Sequence, residues 1–530
     1  MINKENGEAL NLLKQFIQTR SDSATEYEQA FEKIIVDTIK NIAYFNANPS
    51  HFGTSALPDD PLGRSVIWAF NDNKAPRTVI LFGHHDAVDL SAYDQMDGLN
   101  PETLLTQLKA AQTCVPAEEF EGDWLFGRGS CDMKAGLAIN LQQLKNATIA
   151  SPGINVLFLS VPDEETQSAG MRHAVTLLKS LKEKFSLKFE LAILTEPHER
   201  AHIGEFRIST GSVGKMMPVI VTKGMPTHSG VAYSGLNSIS IAMEIVKAIE
   251  LNVEMGDTIN KRMTPPPAFL NMYSVKETYD VTTPEFTIAY FNWLYLKGNL
   301  TGKFEQLKEL CKWSMEDAIN QFNYSYNEYL RKQAMPSYRE CMEFKFEILL
   351  YEELVNRIKQ TTDVDAVLKQ LRRDNPNMAA HELTVLHIRH LIRLMDASYP
   401  VVVIGLLPPF YPVVDSALYY EEKLKTDFEA ALQVHGLSYT KDNYFMGISD
   451  MSYIKKMSHD PRAILKQMPL YNIEYKLDFE AITELDIEVV HIGPWGKDLH
   501  QKTERVYIKD VVDTVPALID SVFATVSKMI

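Results

Sequence analysis

The feature that most constrains this chain is an alternation running from residue 65 to residue 205. Apolar runs (SVIWAF, TVILFGHHD, INVLFLSVPDEE, LAILTEP) are separated by helical stretches (MKAGLAINLQQLKN, GMRHAVTLLKSLKE). Strand-like runs interleaved with helices are the mark of an α/β domain. The expected fold class is therefore α/β, with a mainly parallel central sheet flanked by helices. In such sheets ligands gather at the carboxyl ends of the strands, and here those ends carry His, Asp and Glu.

With 530 residues the chain exceeds what one hydrophobic core usually serves, so further domains are expected. Residues 7–46 read as helices. After about 210 the texture changes. KMMPVIVTKG and EFTIAYFNWLYLKG read as strands, and KFEQLKELCKWSMEDAINQF as a helix. GLNSISIAMEIVKAIELN is an amphipathic helix with Ile239, Ala242, Ile245, Val246 and Ile249 on one side. Residues 325–397 are strongly helical and read as an insertion into this smaller domain. The expected division is 1–212 for the first part of a catalytic domain, 213–405 for the smaller domain, and 406–530 for the second part of the catalytic domain.

A formal net charge of −16 argues against a nucleic-acid binder, because nothing neutralises phosphates in bulk. MINKENGEAL has no apolar core and does not read as a secretory signal. YPVVVIGLLPPFYPVV is broken by Pro400, Pro408, Pro409 and Pro412 and is short for a bilayer span, so no membrane partner is expected. Cys114, Cys131, Cys311 and Cys341 are irregularly spaced and give neither a zinc ribbon nor a disulfide framework. A cytoplasmic location is the simplest expectation.

The chemistry sits in short motifs. GHHDAV places His84 at the end of a strand, and Asp86 has the same strand parity, so its carboxylate can lie behind the imidazole and fix its tautomer. GRGSCDMKAG places Asp132 between a glycine-rich loop and a helix, where a carboxylate can bridge two cations; an aspartate before a helix is also a common N-cap. Cys131 has the opposite direction and reads as packing. Glu164 and Glu165 are adjacent on an extended segment, so they diverge: one can ligate metal while the other acts as general base on a water. Glu196 ends the next strand, in LTEP. His500, in GPWGKDLHQKTER, can supply a further imidazole, with His491 on a strand as its competitor. Imidazole and carboxylate ligands of this kind suit a divalent first-row metal.

Taken together, GHHDAV, GRGSCDMKAG, DEE, EP and the late GP…LH closely resemble the dinuclear zinc peptidases and deacylases that include carboxypeptidase G, acetylornithine deacetylase and succinyl-diaminopimelate desuccinylase. Length and the helical insertion look most like the arginine-utilization RocB branch. The resemblance implies a zinc-peptidase catalytic domain with an inserted α+β lid domain, and two divalent ions, zinc or else cobalt or manganese. His84, Asp132 and Glu196 would hold one ion, and Asp132, Glu165 and His500 the other. Glu164 matches the family's general base and Asp86 its orienting aspartate. KGMPTHSGVAYSGLNSI matches the start of the lid, whose His228 would stabilise the oxyanion, in many members from the partner subunit of a dimer. Asn237, Ser449 and Asp450 match substrate-binding positions. Asp89 stands where proline is usual and Ala135 where glycine is common. The lid strand IAYFNWLYLKG lacks the arginine that grips a substrate carboxylate, and FMGISDMSY lacks the one often found just beyond it.

The resulting expectation is a hydrolase of a small amide, a dipeptide or an N-acyl amino acid, working through a two-metal-activated water with a glutamate base. A role in arginine or amino-acid catabolism and a lid-mediated homodimer follow from the branch. The rival is a non-catalytic regulatory or scaffold protein that keeps the metal on the same fold, and a structural metal site needs no base.

Overall fold

The structure is a computed structural model that describes residues 7–111, 113–259, 261–276, 279–333 and 342–529. It divides into two compact units. One comprises Met1–Val213, Val414–Met457 and Asp478–Ile530; the other comprises Gly214–Val413 and Ser458–Leu477. Ser458–Leu477 thus leaves the segment that the sequence assigns to the catalytic domain and joins the other unit.

The first unit is built on eight strands: β1 (Phe52–Ala56), β2 (Ser65–Asn71), β3 (Thr78–His84), β4 (Asn155–Val161), β5 (Phe189–Leu194), β6 (Glu205–Ser209), β7 (Ser438–Asp442) and β8 (Glu488–His491). Their order across the sheet is β1-β2-β4-β3-β5-β8-β6-β7. The centre, β4, β3, β5 and β8, is parallel, while β1 and β2 add antiparallel pairs at one side. Every residue of β3 and β4 is buried. That is why both read as continuous apolar runs rather than alternating ones.

Helix Lys134–Ala150 packs Leu137, Ala138, Leu141 and Leu144 into one core with Val79, Leu81, Val156 and Phe158. Each such side chain contributes roughly 1.5–3 kcal/mol on burial. An added Cβ at Gly136 would collide with the Thr195 carbonyl, so the helix start lies directly against the segment that carries Glu196. A small antiparallel sheet of Trp124–Phe126, Arg505–Tyr507 and Gly496–Lys497, with Arg505–Tyr507 in the middle, lashes the 127–132 loop beside the 498–504 turn.

The second unit has a five-stranded sheet in the order Ala268–Val275, Phe286–Tyr295, Gly214–Lys223, Val401–Tyr411, Glu347–Leu350. The strands are antiparallel except Glu347–Leu350, which runs parallel to Val401–Tyr411. The 325–397 segment is therefore not wholly helical. It holds Tyr351–Ile358, Val364–Asp374 and Ala380–Leu394, but also an edge strand whose four residues, EILL, are too short for periodicity to classify. Residues 334–341, Cys341 among them, lie outside the described residues. Helix Ser238–Ile249 buries Ile241, Ala242, Ile245 and Ile249, while Ile239 and Val246 stay partly exposed. Among the described residues no helix is long and apolar enough to cross a membrane.

Candidate metal centre

Four segments bring their side chains to one edge of the central sheet because β3, β4, β5 and β8 are parallel there. His84 ends β3 and pairs in register with Val161, the last residue of β4. Glu164 and Glu165 follow β4, Glu196 follows β5, and His500 follows β8 through Gly493–Leu499. Asp132 arrives from the 127–132 loop. The N-cap position of the following helix falls to Met133, so Asp132 is not spent on a cap.

Asp132 is the meeting point. Its Oδ1 lies 3.2 Å from His84 Nε2 and its Oδ2 3.1 Å from His500 Nε2. His500 Nε2 is also 3.3 Å from Glu165 Oε2. One ligand atom each from His84, Asp132 and Glu165 lie within 4.8 Å of one another. Burial alone would raise the Asp132 carboxyl, yet hydrogen bonds from His500 and His84 hold it well below the usual carboxylate range. The bonds to Asp132 and Glu165 push the His500 imidazole up to about 10 against its partial burial.

His84 Nδ1 faces residue 86 from both sides of that residue: the backbone carbonyl at 3.0 Å and the carboxylate Oδ1 at 3.5 Å. The nearer acceptor is thus the carbonyl, not the side chain. The Asp86 carboxylate has a second task. Oδ1 accepts the backbone N–H of Glu164 at 3.0 Å, and Oδ2 accepts that of Glu165 at 3.1 Å and the Ser23 hydroxyl at 2.6 Å. One buried aspartate therefore sets the backbone of both glutamates. Arg64 braces the same turn, donating to Asp163 at 2.7 Å and to Glu28 at 2.9 Å. Ser23 and Arg64 carry no motif, and sequence reasoning missed them.

Glu196 is buried and Glu164 half-buried. Burial pushes both carboxyls well above the ordinary range; His84 opposes this, while Glu165 and Asp450 add to it in each case. Glu165 is raised as well, by burial and then by the charge of Asp132. His491 points elsewhere: its Nε2 meets the Glu196 carbonyl oxygen at 2.6 Å, and its ring stacks on His198 at 3.7 Å. Cys131 is fully buried and faces Glu504.

Of the remaining candidates, Ser449, His228 and Asn237 have visible local partners. Ser449 and Asp450 are fully buried in the first unit, and the Ser449 hydroxyl accepts the Met451 N–H. Burial pushes the Asp450 carboxyl up to about 7. His228 and Asn237 belong to the second unit. His228 is exposed, with Nδ1 accepting the Gly230 N–H at 3.0 Å, and Asn237 caps helix Ser238–Ile249 through the Ile239 N–H.

The donors fit divalent cations. Oε1 of Glu165 and Oε1 of Glu196 are buried without a hydrogen-bond partner among the described residues. A carboxylate oxygen stranded that way costs a few kcal/mol unless something positive meets it. Two imidazoles and three carboxylates around one acidic cluster are the ligand types that zinc and its first-row neighbours take.

An α/β sheet with acid and imidazole side chains gathered at its strand ends defines a class, and residues 81–522 match the model of peptidase family M20/M25/M40. The chain belongs to that family, and it is a hydrolase. It is 28% identical over 537 residues to the uncharacterized protein YqjN of Bacillus subtilis (strain 168), across 98% of this chain and 96% of that one. It is 25% identical to Protein RocB of the same organism, across 96% of this chain and 93% of RocB, in line with the branch expected from its length. Among solved structures, a tripeptidase from Staphylococcus aureus shares the fold with a TM-score of 0.56 at 14% identity, across 100% of both chains.

Proposed function

We propose that the protein is a two-metal amidohydrolase that cleaves a small amide, either a dipeptide or an N-acylated amino acid. The observation that carries this reading is the Asp132 carboxylate, whose two oxygens each face a different imidazole, His84 and His500. A carboxylate flanked in that way suits a bridging ligand. His84, Asp132 and Glu196 would hold one ion, and Asp132, Glu165 and His500 the other. The donor set favours zinc and also serves cobalt or manganese. Bound there, two such ions supply Lewis-acid polarisation of the scissile carbonyl and lower the pKa of water.

The proton chemistry belongs to the chain. Glu164 accepts the proton of the attacking water and delivers it to the leaving amine. Its backbone is fixed through Asp86 Oδ1, and burial favours the protonated form that it must hold between the two transfers. Asp86 also orients His84. His228 is assigned by resemblance as the donor to the developing oxyanion. Asn237, Ser449 and Asp450 are the substrate-binding candidates. With Asn237 and Ser449 engaged in caps, Asp450 is the one whose charge is not already spent on a turn. A cytoplasmic enzyme of amino-acid catabolism, arginine included, and a homodimer through the second unit complete the reading.

A zinc- or cobalt-loaded screen over dipeptides and N-acyl amino acids, with arginine and ornithine derivatives among them, tests it. Turnover of at least one amide class, abolished by chelation, is expected. No turnover across the panel by protein carrying two ions would instead favour the non-catalytic rival.

A further inference from the structure

The buried pair Arg128–Glu504 has no part in the proton chemistry, yet it touches three of the segments that build the centre. Both side chains are almost fully buried, and Arg128 Nη1 donates to Glu504 Oε2 at 2.6 Å. Arg128 Nη2 donates to the His500 carbonyl at 3.1 Å, and Nε to the Asp89 carbonyl at 3.2 Å. On the other side, Glu504 Oε1 accepts the backbone N–H of Asp132 and of Cys131, each at 3.3 Å. The guanidinium stands over the buried Tyr93 ring, 4.9 Å from its centroid, which fixes its plane. One ion pair thus grips the backbone of Asp132 at its acid end and that of His500 at its basic end. His500 needs the grip, since it sits at φ +64°, a conformation that non-glycine residues rarely adopt without support.

We infer that Arg128 and Glu504 are positioning residues that hold the Asp132 and His500 backbones at one spacing, and so govern the ion on the His500 side more than the ion on the His84 side. The inference rests on the two-ion reading above. Its asymmetry follows from the contacts. His84 is carried by the central sheet and Glu196 by the end of β5, and no described hydrogen bond joins either to the pair. Lysine cannot replace the arginine, because three donors must point at three acceptors in one plane. Glutamine at 504 keeps the shape but loses the charge.

The test is ion release from full-length, zinc-loaded wild type, Arg128→Lys and Glu504→Gln. Release is titrated with a chromophoric chelator and repeated with cobalt, whose visible absorption reports ligand geometry. His500→Ala marks which step belongs to the His500 side. Wild type is expected to release two ions in two steps. Both variants should weaken the His500-side step roughly 10- to 100-fold, the usual effect of losing a partner that orients a ligand, while the other step moves less than about 3-fold. The cobalt spectrum should change in the same step. Two ions in wild type with both steps shifted equally, or neither, would overturn the inference alone. Fewer than two ions in wild type would overturn the two-ion reading and the inference with it. Absence of a cooperative melt in both variants would also overturn it, because the pair would then set the fold rather than one ion.

Discussion

His84 and Asp132 lie 48 residues apart in the chain, yet Nε2 of one and Oδ1 of the other stand 3.2 Å apart. The contact joins the end of a central strand to a glycine-rich loop, and Asp132 extends it to His500 through its other oxygen. Removing the bridge should therefore empty the centre rather than trim it. Asp132→Asn keeps the shape and loses the charge. The expected outcome is zinc content falling from two ions per chain to one or none, measured by elemental analysis after gel filtration. An unchanged content of two would show that Asp132 is not shared.

Metal should stabilise the fold as well as serve it. The centre gathers Asp132, Glu164, Glu165 and Glu196, whose mutual repulsion the two imidazoles offset in part and bound cations would relieve further. A ligand at 100 times its Kd adds about 2.7 kcal/mol of stability. Stripping zinc with a chelator should lower the melting temperature by several degrees, and re-addition should restore it. A melt indifferent to chelator would mean that the acids are paired some other way.

The second unit carries its own pH signature in a buried histidine that has no place in the proposed chemistry. His387 is fully buried with Nε2 3.1 Å from the Tyr351 hydroxyl, and burial, helped by His390, pushes its imidazole down to about 4. Between about 4 and 6.5 the unfolded chain binds a proton that the folded one does not. Stability is therefore lost as pH falls through that window and is fully present above 6.5. The ceiling on the loss is about 3 kcal/mol. Denaturant melts at pH 7 and pH 5 should show a larger drop for wild type than for His387→Gln. Equal drops would refute the assignment.

Much of the first unit was legible in the sequence because its information is local. A continuous apolar run ending in His-x-Asp or Asp-Glu-Glu declares both a buried strand and the residues beyond its end. What was not legible is long-range. Ser23 reaches Asp86 across 63 residues, and Glu504 reaches the Asp132 N–H across 372, with no spacing rule to announce either. Periodicity indicates that a face is buried but not by what. It therefore sent Ser458–Leu477 to the wrong unit and missed the strand Glu347–Leu350. On helix Ser238–Ile249 it named Ile239 and Val246 where Ile241 is the buried residue. The sequence prefers His500 to His491 because His500 follows a glycine- and proline-rich approach while His491 sits on a strand-like run. In the structure His500 Nε2 faces Asp132, and His491 Nε2 faces the Glu196 carbonyl.

The strand that presents His84 should be sensitive to packing. Leu81 is fully buried on β3, in the core shared with helix Lys134–Ala150. Leu81→Ala leaves a cavity there and should cost about 2–5 kcal/mol, read from denaturant unfolding. A cost below 1 kcal/mol would mean that the site stands on a softer base than the packing indicates.

The account turns on Glu164 as the group that moves the proton while other residues hold metal. The most direct measurement is turnover of Glu164→Gln on whichever amide the screen identifies, with zinc content determined on the same sample. Two zinc ions per chain with kcat reduced roughly 10²- to 10⁴-fold is the predicted result. Two ions with undiminished kcat would contradict the central claim.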